Sequence, residues 1–101
     1  MEQELAQKLY DELITNARTT VPQGKKLKNR GCETHHVIPK SCGGTNTKDN
    51  LVNLTFKDHF EAHRLLRYVY ENGTSEQKSM LYAFWMICNS KHGKKIVTSE
   101  D

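Results

Sequence analysis

From Glu2 to Arg18, Leu5, Leu9, Leu13 and Ala17 recur every fourth position, with Ala6, Tyr10 and Ile14 beside them. Such a series predicts one amphipathic helix with a single apolar stripe. Residues 19–30 hold Pro22, Gly24 and a basic run, and read as a connecting loop. Cys32 to Ile38 mixes β-branched and polar residues at strand length, and Pro39 ends it. The Gly-, Thr-, Asn- and Asp-rich stretch Ser41–Asn50 predicts an irregular loop, and Leu51–Leu54 a second short strand. Thr55 has the chemistry of an N-cap, with Asp58 in the first turn, so a helix is expected to run from there to about Tyr70. On that helix Phe56, Phe60, His63, Leu66 and Val69 fall on or near one face, and Asn72-Gly73 stops it. A last helix is expected over Ser75–Cys88, where Leu81, Phe84, Trp85 and Cys88 recur at three- and four-residue spacing. That spacing assigns Trp85 to the core, ahead of a base-stacking role. Lys91–Asp101 reads as a polar tail. The order is α+β, in one domain over residues 1–101.

Composition narrows what this fold can rest on. The chain has 101 residues, of which 36% are hydrophobic and 8% aromatic. A domain this small buries roughly two thirds of the surface its unfolded chain exposes, so its core is thin. Two sources of stability remain open: a modest three-helix core, or a bound metal that ties distant segments together. Cys32, Cys42 and Cys88 are odd in number and form no C-x-x-C unit, which argues against a disulfide framework or a ribbon-type zinc site. Reduced thiols, no apolar run of membrane-spanning length and the polar start Met1-Glu2-Gln3-Glu4 point to a soluble cytoplasmic chain.

The formal net charge is +3. Its distribution matters more than its size. Lys25, Lys26, Lys28 and Arg30 lie close together, and Lys40, Lys57, Arg64 and Arg67 surround a histidine-rich middle. Clustered cations suit phosphate contacts, although a short basic run is more often a solvated loop.

The histidines carry the sharpest signal. His35 and His36 are adjacent on an expected strand, so their side chains face opposite sides. His59 and His63 are four apart on an expected helix, which stacks them on one side. An i, i+4 histidine pair is a two-ligand metal site in waiting, and a strand histidine can add a third ligand. The bland alternative is a set of separate core and surface histidines. His92, outside the cluster, reads as a surface residue.

The surrounding residues go further. Glu33-Thr34-His35-His36-Val37-Ile38-Pro39-Lys40, then Gly43-Gly44, then Asp49-Asn50-Leu51-Val52-Asn53-Leu54-Thr55, then His59-Phe60-Glu61-Ala62-His63-Arg64 resemble an HNH nuclease motif throughout. The stretch is similar to the HNH homing endonucleases of phages and to the nuclease domains of colicins. Tyr10 and Ile14 in the leading helix, and Ala83-Phe84-Trp85-Met86, are similar to phage-encoded members. In such members the chain usually continues past the equivalent of Asp101, and for a phage-encoded chain the resemblance implies the host cytoplasm as the place of action.

The resemblance implies a ββα-metal core, flanked here by the N-terminal and C-terminal helices, and a metal-dependent endonuclease acting on double-stranded DNA. Carried over by position, His35, His59 and His63 are metal ligands and His36 is the general base. Asn50 braces the loop and helps fix the base, and Glu33 helps organise the site. Lys25, Lys26, Lys28, Arg30, Lys40 and Arg64 are expected to meet the DNA. The ligand set admits Mg²⁺, Mn²⁺, Zn²⁺ or Ni²⁺. The chemistry fits: an imidazole can take a proton from water near neutral pH, and a divalent ion can offset charge on the phosphate. Two other classes compete, a non-catalytic metal-stabilised DNA-binding module and a fold with a purely structural ion. A structural site has no need of a second imidazole beside its ligand, so the His35-His36 pair favours the enzyme.

Overall fold

The computed structural model describes residues 1–24 and 31–99, with side chains through Lys95. Helix α1 (Gln3–Thr20) leads to a two-stranded antiparallel sheet, β1 (Cys32–His36) and β2 (Leu51–Thr55). Helices α2 (Phe56–Val69), α3 (Ser75–Cys88) and α4 (Lys91–Ser99) follow. The strands pair with Cys32 opposite Thr55, His35 opposite Val52 and His36 opposite Leu51. This is the expected α+β arrangement, a hairpin followed by a helix, with helices flanking it.

The core forms where α1, α2 and β2 meet. Tyr10, Ile14 and Ala17 from α1 pack with Val52 and Leu54 from β2, and with Ala62, Leu65 and Leu66 from α2. The stripe on α1 is displaced from the leucine series. Ala6, Tyr10, Ile14 and Ala17 face inward, Leu9 and Leu13 flank them, and Leu5 is exposed. Both series satisfy helical periodicity, and small side chains at positions 6 and 17 let α1 lie close to its neighbours. Apolar count alone does not choose between the two.

Helix α2 begins as the sequence indicates. The Thr55 hydroxyl accepts from the Asp58 amide at 3.1 Å, supplying a partner to one of the orphan donors of the first turn. Thr74 does the same for α3 through the Gln77 amide at 3.2 Å.

Two expectations fail. Trp85 is not in the core: it is 59% exposed, beside exposed Leu81, Tyr82 and Met86. Helix α3 has only one packed side, where Met80 is buried and Phe84 lies against Phe60, so the apolar residues on its other side stay in solvent. The segment read as a polar tail is helical over Lys91–Ser99. Ser90 starts it: its hydroxyl accepts from the Gly93 amide at 3.0 Å. Gly93 also lies so near the preceding helix that a Cβ there would sit 1.7 Å from the Ile87 carbonyl oxygen. A side chain at 93 would force the two helices apart.

The connection between the strands is irregular apart from short 3-10 turns at Lys40–Cys42 and Lys48–Asn50. Asn50 ties it together. Its side-chain oxygen accepts from the Ile38 amide at 2.8 Å, and its nitrogen donates to the carbonyls of Ile38 (2.9 Å) and Thr45 (2.8 Å). Gly44 sits inside this knot, where a Cβ would fall 1.7 Å from the Ile38 carbonyl oxygen. No helix among the described residues is long and apolar enough to cross a membrane. Cys32, Cys42 and Cys88 form no disulfide.

Candidate metal centre

Strand alternation puts Glu33 and His35 on the side of β1 that faces α2, where His59 and His63 project one turn apart. Ligand atoms of His35, His59 and His63 lie within 4.8 Å of one another. The ring centroids of His35 are 5.2 Å from each of the other two, which are 4.8 Å apart. His35 is buried at 3% exposure, while His59 and His63 are half-buried.

The hydrogen bonds assign most of the ring protons. Glu33 can only accept as a carboxylate, so the 3.1 Å contact to His59 makes His59 Nδ1 the donor and leaves a lone pair on its Nε2. His63 Nε2 lies 3.1 Å from that atom and donates to it. This leaves His63 Nδ1 buried with no hydrogen-bond partner. Buried polar atoms are rarely left so.

Burial is the main reason that His35 is pushed down to about 2, with the imidazoles of His63 and His59 adding to it. His63 is lowered to about 4, again by burial first and by His59 second. Both rings are therefore neutral at pH 7, the form that binds a cation. Two nitrogens on a tetrahedral ion with ~2.0 Å bonds would be about 3.3 Å apart, close to the separation of His59 Nε2 and His63 Nε2. The convergence of the three rings and this Nε2–Nε2 spacing fit a divalent ion held by three imidazoles, with the His63 hydrogen carried on Nδ1 once Nε2 binds.

Residues 24–65, which contain every one of these histidines, match the family model described as HNH endonuclease. The chain carries an HNH domain. It is 42% identical over 89 residues to the "Probable mobile endonuclease E" of Enterobacteria phage T4, covering 88% of this chain and 56% of that protein. It is 38% identical over 93 residues to "Probable mobile endonuclease C" of the same phage, covering 92% of this chain and 40% of the relative. An uncharacterized 38.5 kDa protein in psbA intron 1 of Chlamydomonas moewusii is 44% identical over 73 residues, 72% of this chain and 19% of that one. The chain thus spans about half or less of the length of these relatives. No solved structure matches it.

Within the HNH domain, the other expected site residues fall in distinct places. His36 is held apart from the three clustered imidazoles, on the opposite side of β1, with its Nε2 2.8 Å from the Asn46 side-chain oxygen. Asn46 went unnoticed in the sequence, lying in a polar loop where nothing marks one amide over another. Asn50 is 8% exposed and occupied with the loop. Lys40 is exposed. The Arg64 guanidinium is engaged by Glu61 one turn earlier, with Nε 2.9 and 3.0 Å from the carboxylate oxygens. Lys25, Lys26, Lys28 and Arg30 lie outside the described residues. His92 is exposed, as expected, but its ring stacks on Phe56 with centroids 3.8 Å apart. It shares a cleft of about 430 Å³ with Glu33 and His59.

Proposed function

We propose that this protein is a metal-dependent endonuclease that hydrolyses phosphodiester bonds in double-stranded DNA. The observation that carries the reading is the convergence of His35, His59 and His63, with a fourth imidazole, His36, kept out of the cluster on the neighbouring residue. A site that only stabilised the fold would need the three and not the fourth.

In this reading His35, His59 and His63 hold one divalent ion, of the group Mg²⁺, Mn²⁺, Zn²⁺ or Ni²⁺. When bound, the ion supplies Lewis-acid charge stabilisation at the scissile phosphate. The chain's own residues do the rest. His36 is the base: Asn46 accepts the hydrogen on its Nε2, so Nδ1 keeps the lone pair that takes a proton from water. Asn50 fixes the loop that carries Asn46, and through it the aim of His36. Glu33 holds the His59 ring in the tautomer whose Nε2 faces the cluster. Lys40, which is exposed, would meet DNA phosphates, and Lys25, Lys26, Lys28 and Arg30 would do so on the sequence reading alone. Arg64 would join them where a phosphate outcompetes Glu61 for its guanidinium.

Incubation of the chain with supercoiled plasmid and Mg²⁺, Mn²⁺, Ni²⁺ or Zn²⁺, with the product ends mapped, tests this. Nicked or linear DNA bearing 5′-phosphate and 3′-hydroxyl ends, abolished by chelator, is expected. Intact plasmid with all four ions, from a protein that is folded and retains DNA on a gel, would favour the non-catalytic binding module.

A further inference from the structure

We infer that Tyr10 is a positioning residue for the metal centre: it fixes the tautomer of His35 and so decides which nitrogen of that ring meets the ion. The inference rests on His35 being a ligand, as proposed above. It adds a component from α1, which lies outside the stretch that matches the HNH family model.

The argument follows a single hydrogen atom. The Tyr10 hydroxyl lies 2.7 Å from the Val37 carbonyl oxygen and 2.7 Å from His35 Nε2. A phenol has one hydrogen to donate, and a carbonyl oxygen can only accept. The Tyr10 hydrogen is therefore committed to Val37, and the contact with His35 requires a hydrogen on the ring: Nε2–H donates to the Tyr10 oxygen. A neutral imidazole carries one N–H, so His35 Nδ1 holds the lone pair. The opposite tautomer would set two lone pairs against each other at this distance, unless the hydroxyl abandoned Val37.

Burial makes the choice firm. Tyr10 is 2% exposed and His35 3% exposed, so water does not substitute for either partner. The two rings meet edge to face, with centroids 6.0 Å apart, which leaves the hydroxyl as the sole polar link between them. His35 and His59 are thus fixed by different outer groups through opposite nitrogens. A tyrosine leaves Nδ1 available on the strand ligand, and Glu33 leaves Nε2 available on the helix ligand. An outer partner of a ligating histidine commonly contributes ten- to a hundredfold in metal affinity.

Two measurements on the full chain test this. Long-range ¹H–¹⁵N spectra of the ion-free protein should show His35 protonated at Nε2; protonation at Nδ1 in the parent chain would overturn the inference without any variant. Titration with Co²⁺, followed by its visible d–d absorption, should then show Tyr10→Phe binding about 10- to 100-fold more weakly than the parent. The His35 ring of that variant should lose its single tautomer. A merely structural tyrosine would lower stability and leave the ¹⁵N pattern of His35 unchanged. Equal Co²⁺ affinity of the two chains would sink the role of Tyr10 while leaving the three-histidine centre standing. A parent chain that takes up no Co²⁺ would remove that centre, and this inference with it.

Discussion

A buried asparagine is unfavourable unless its amide is used on both sides, and Asn50 uses both side-chain N–H donors and its carbonyl oxygen on one stretch of loop. Its substitution by alanine would leave the Ile38 amide and two carbonyls without partners. We expect Asn50→Ala to cost about 2–3 kcal/mol in urea unfolding, and to lower cleavage by misplacing the loop under His36. His36 itself should behave differently, since it is not among the three clustered imidazoles and its Nε2 is bonded to Asn46. His36→Ala is expected to reduce plasmid cleavage by at least ~100-fold with metal affinity, measured by calorimetry, unchanged within about twofold. Parallel loss of both would reassign His36 to the ligand set. At this scale the sequence was informative because spacing alone brings His59 and His63 to one face and sends His35 and His36 to opposite faces. Tyr10 was visible there as a helix residue beside a stripe, but no local pattern links position 10 to position 35.

Among the elements, those with a chemical start signal were the legible ones. Thr55 and Asp58 mark the beginning of α2, and its extent, Phe56–Val69, lies within a residue of the expectation, although the chain leaves the helix at extended Tyr70, ahead of Asn72-Gly73. Helix α4 has no such apolar signature in Lys91–Lys95, and its start depends on Ser90 and on the absence of a side chain at Gly93. Trp85 shows the opposite failure. Periodicity gives α3 an apolar face, but α3 packs along one side only, against α2 and α4, and position 85 falls outside that side. Trp85→Ala should therefore shift the unfolding free energy by no more than ~0.5 kcal/mol, the scale of a surface change. A loss of about 3 kcal/mol or more, as for a core aromatic, would contradict the exposed placement.

For the molecule as a whole, a thin core and a candidate metal centre do not exclude each other: the imidazole cluster is built onto the same α2 that carries Leu65 and Leu66. Its ion-free form should be acid-sensitive. His35 and His63 titrate in the folded chain at about 2 and about 4. The same groups in an unfolded chain titrate near ~6.5. Between these limits the unfolded state binds more protons, so stability rises with pH there. Their contribution is complete above about pH 6.5 and is lost as pH falls toward 4 and below. Melting temperatures in chelator should hold level from pH 7.5 to about 6.5 and then fall steadily to pH 4.5, and a profile flat throughout would mean that these rings are not buried neutral. Added divalent ion at neutral pH should raise the melting temperature, because only the folded chain brings the three rings together.

Thr55 is at once the final residue of β2, paired with Cys32, and the cap on which α2 begins. Strand and helix therefore meet like two gears on one shaft, with no slack in phase. One residue inserted there would turn the whole helix by ~100°, carrying His59 and His63 away from the sheet. Extra residues in the exposed stretch Thr45–Asp49 would leave that phase untouched. Lengthening the chain between the strands should thus spare the three-imidazole cluster and disturb only the loop held by Asn50, whereas at the step from strand to helix it should take the cluster apart.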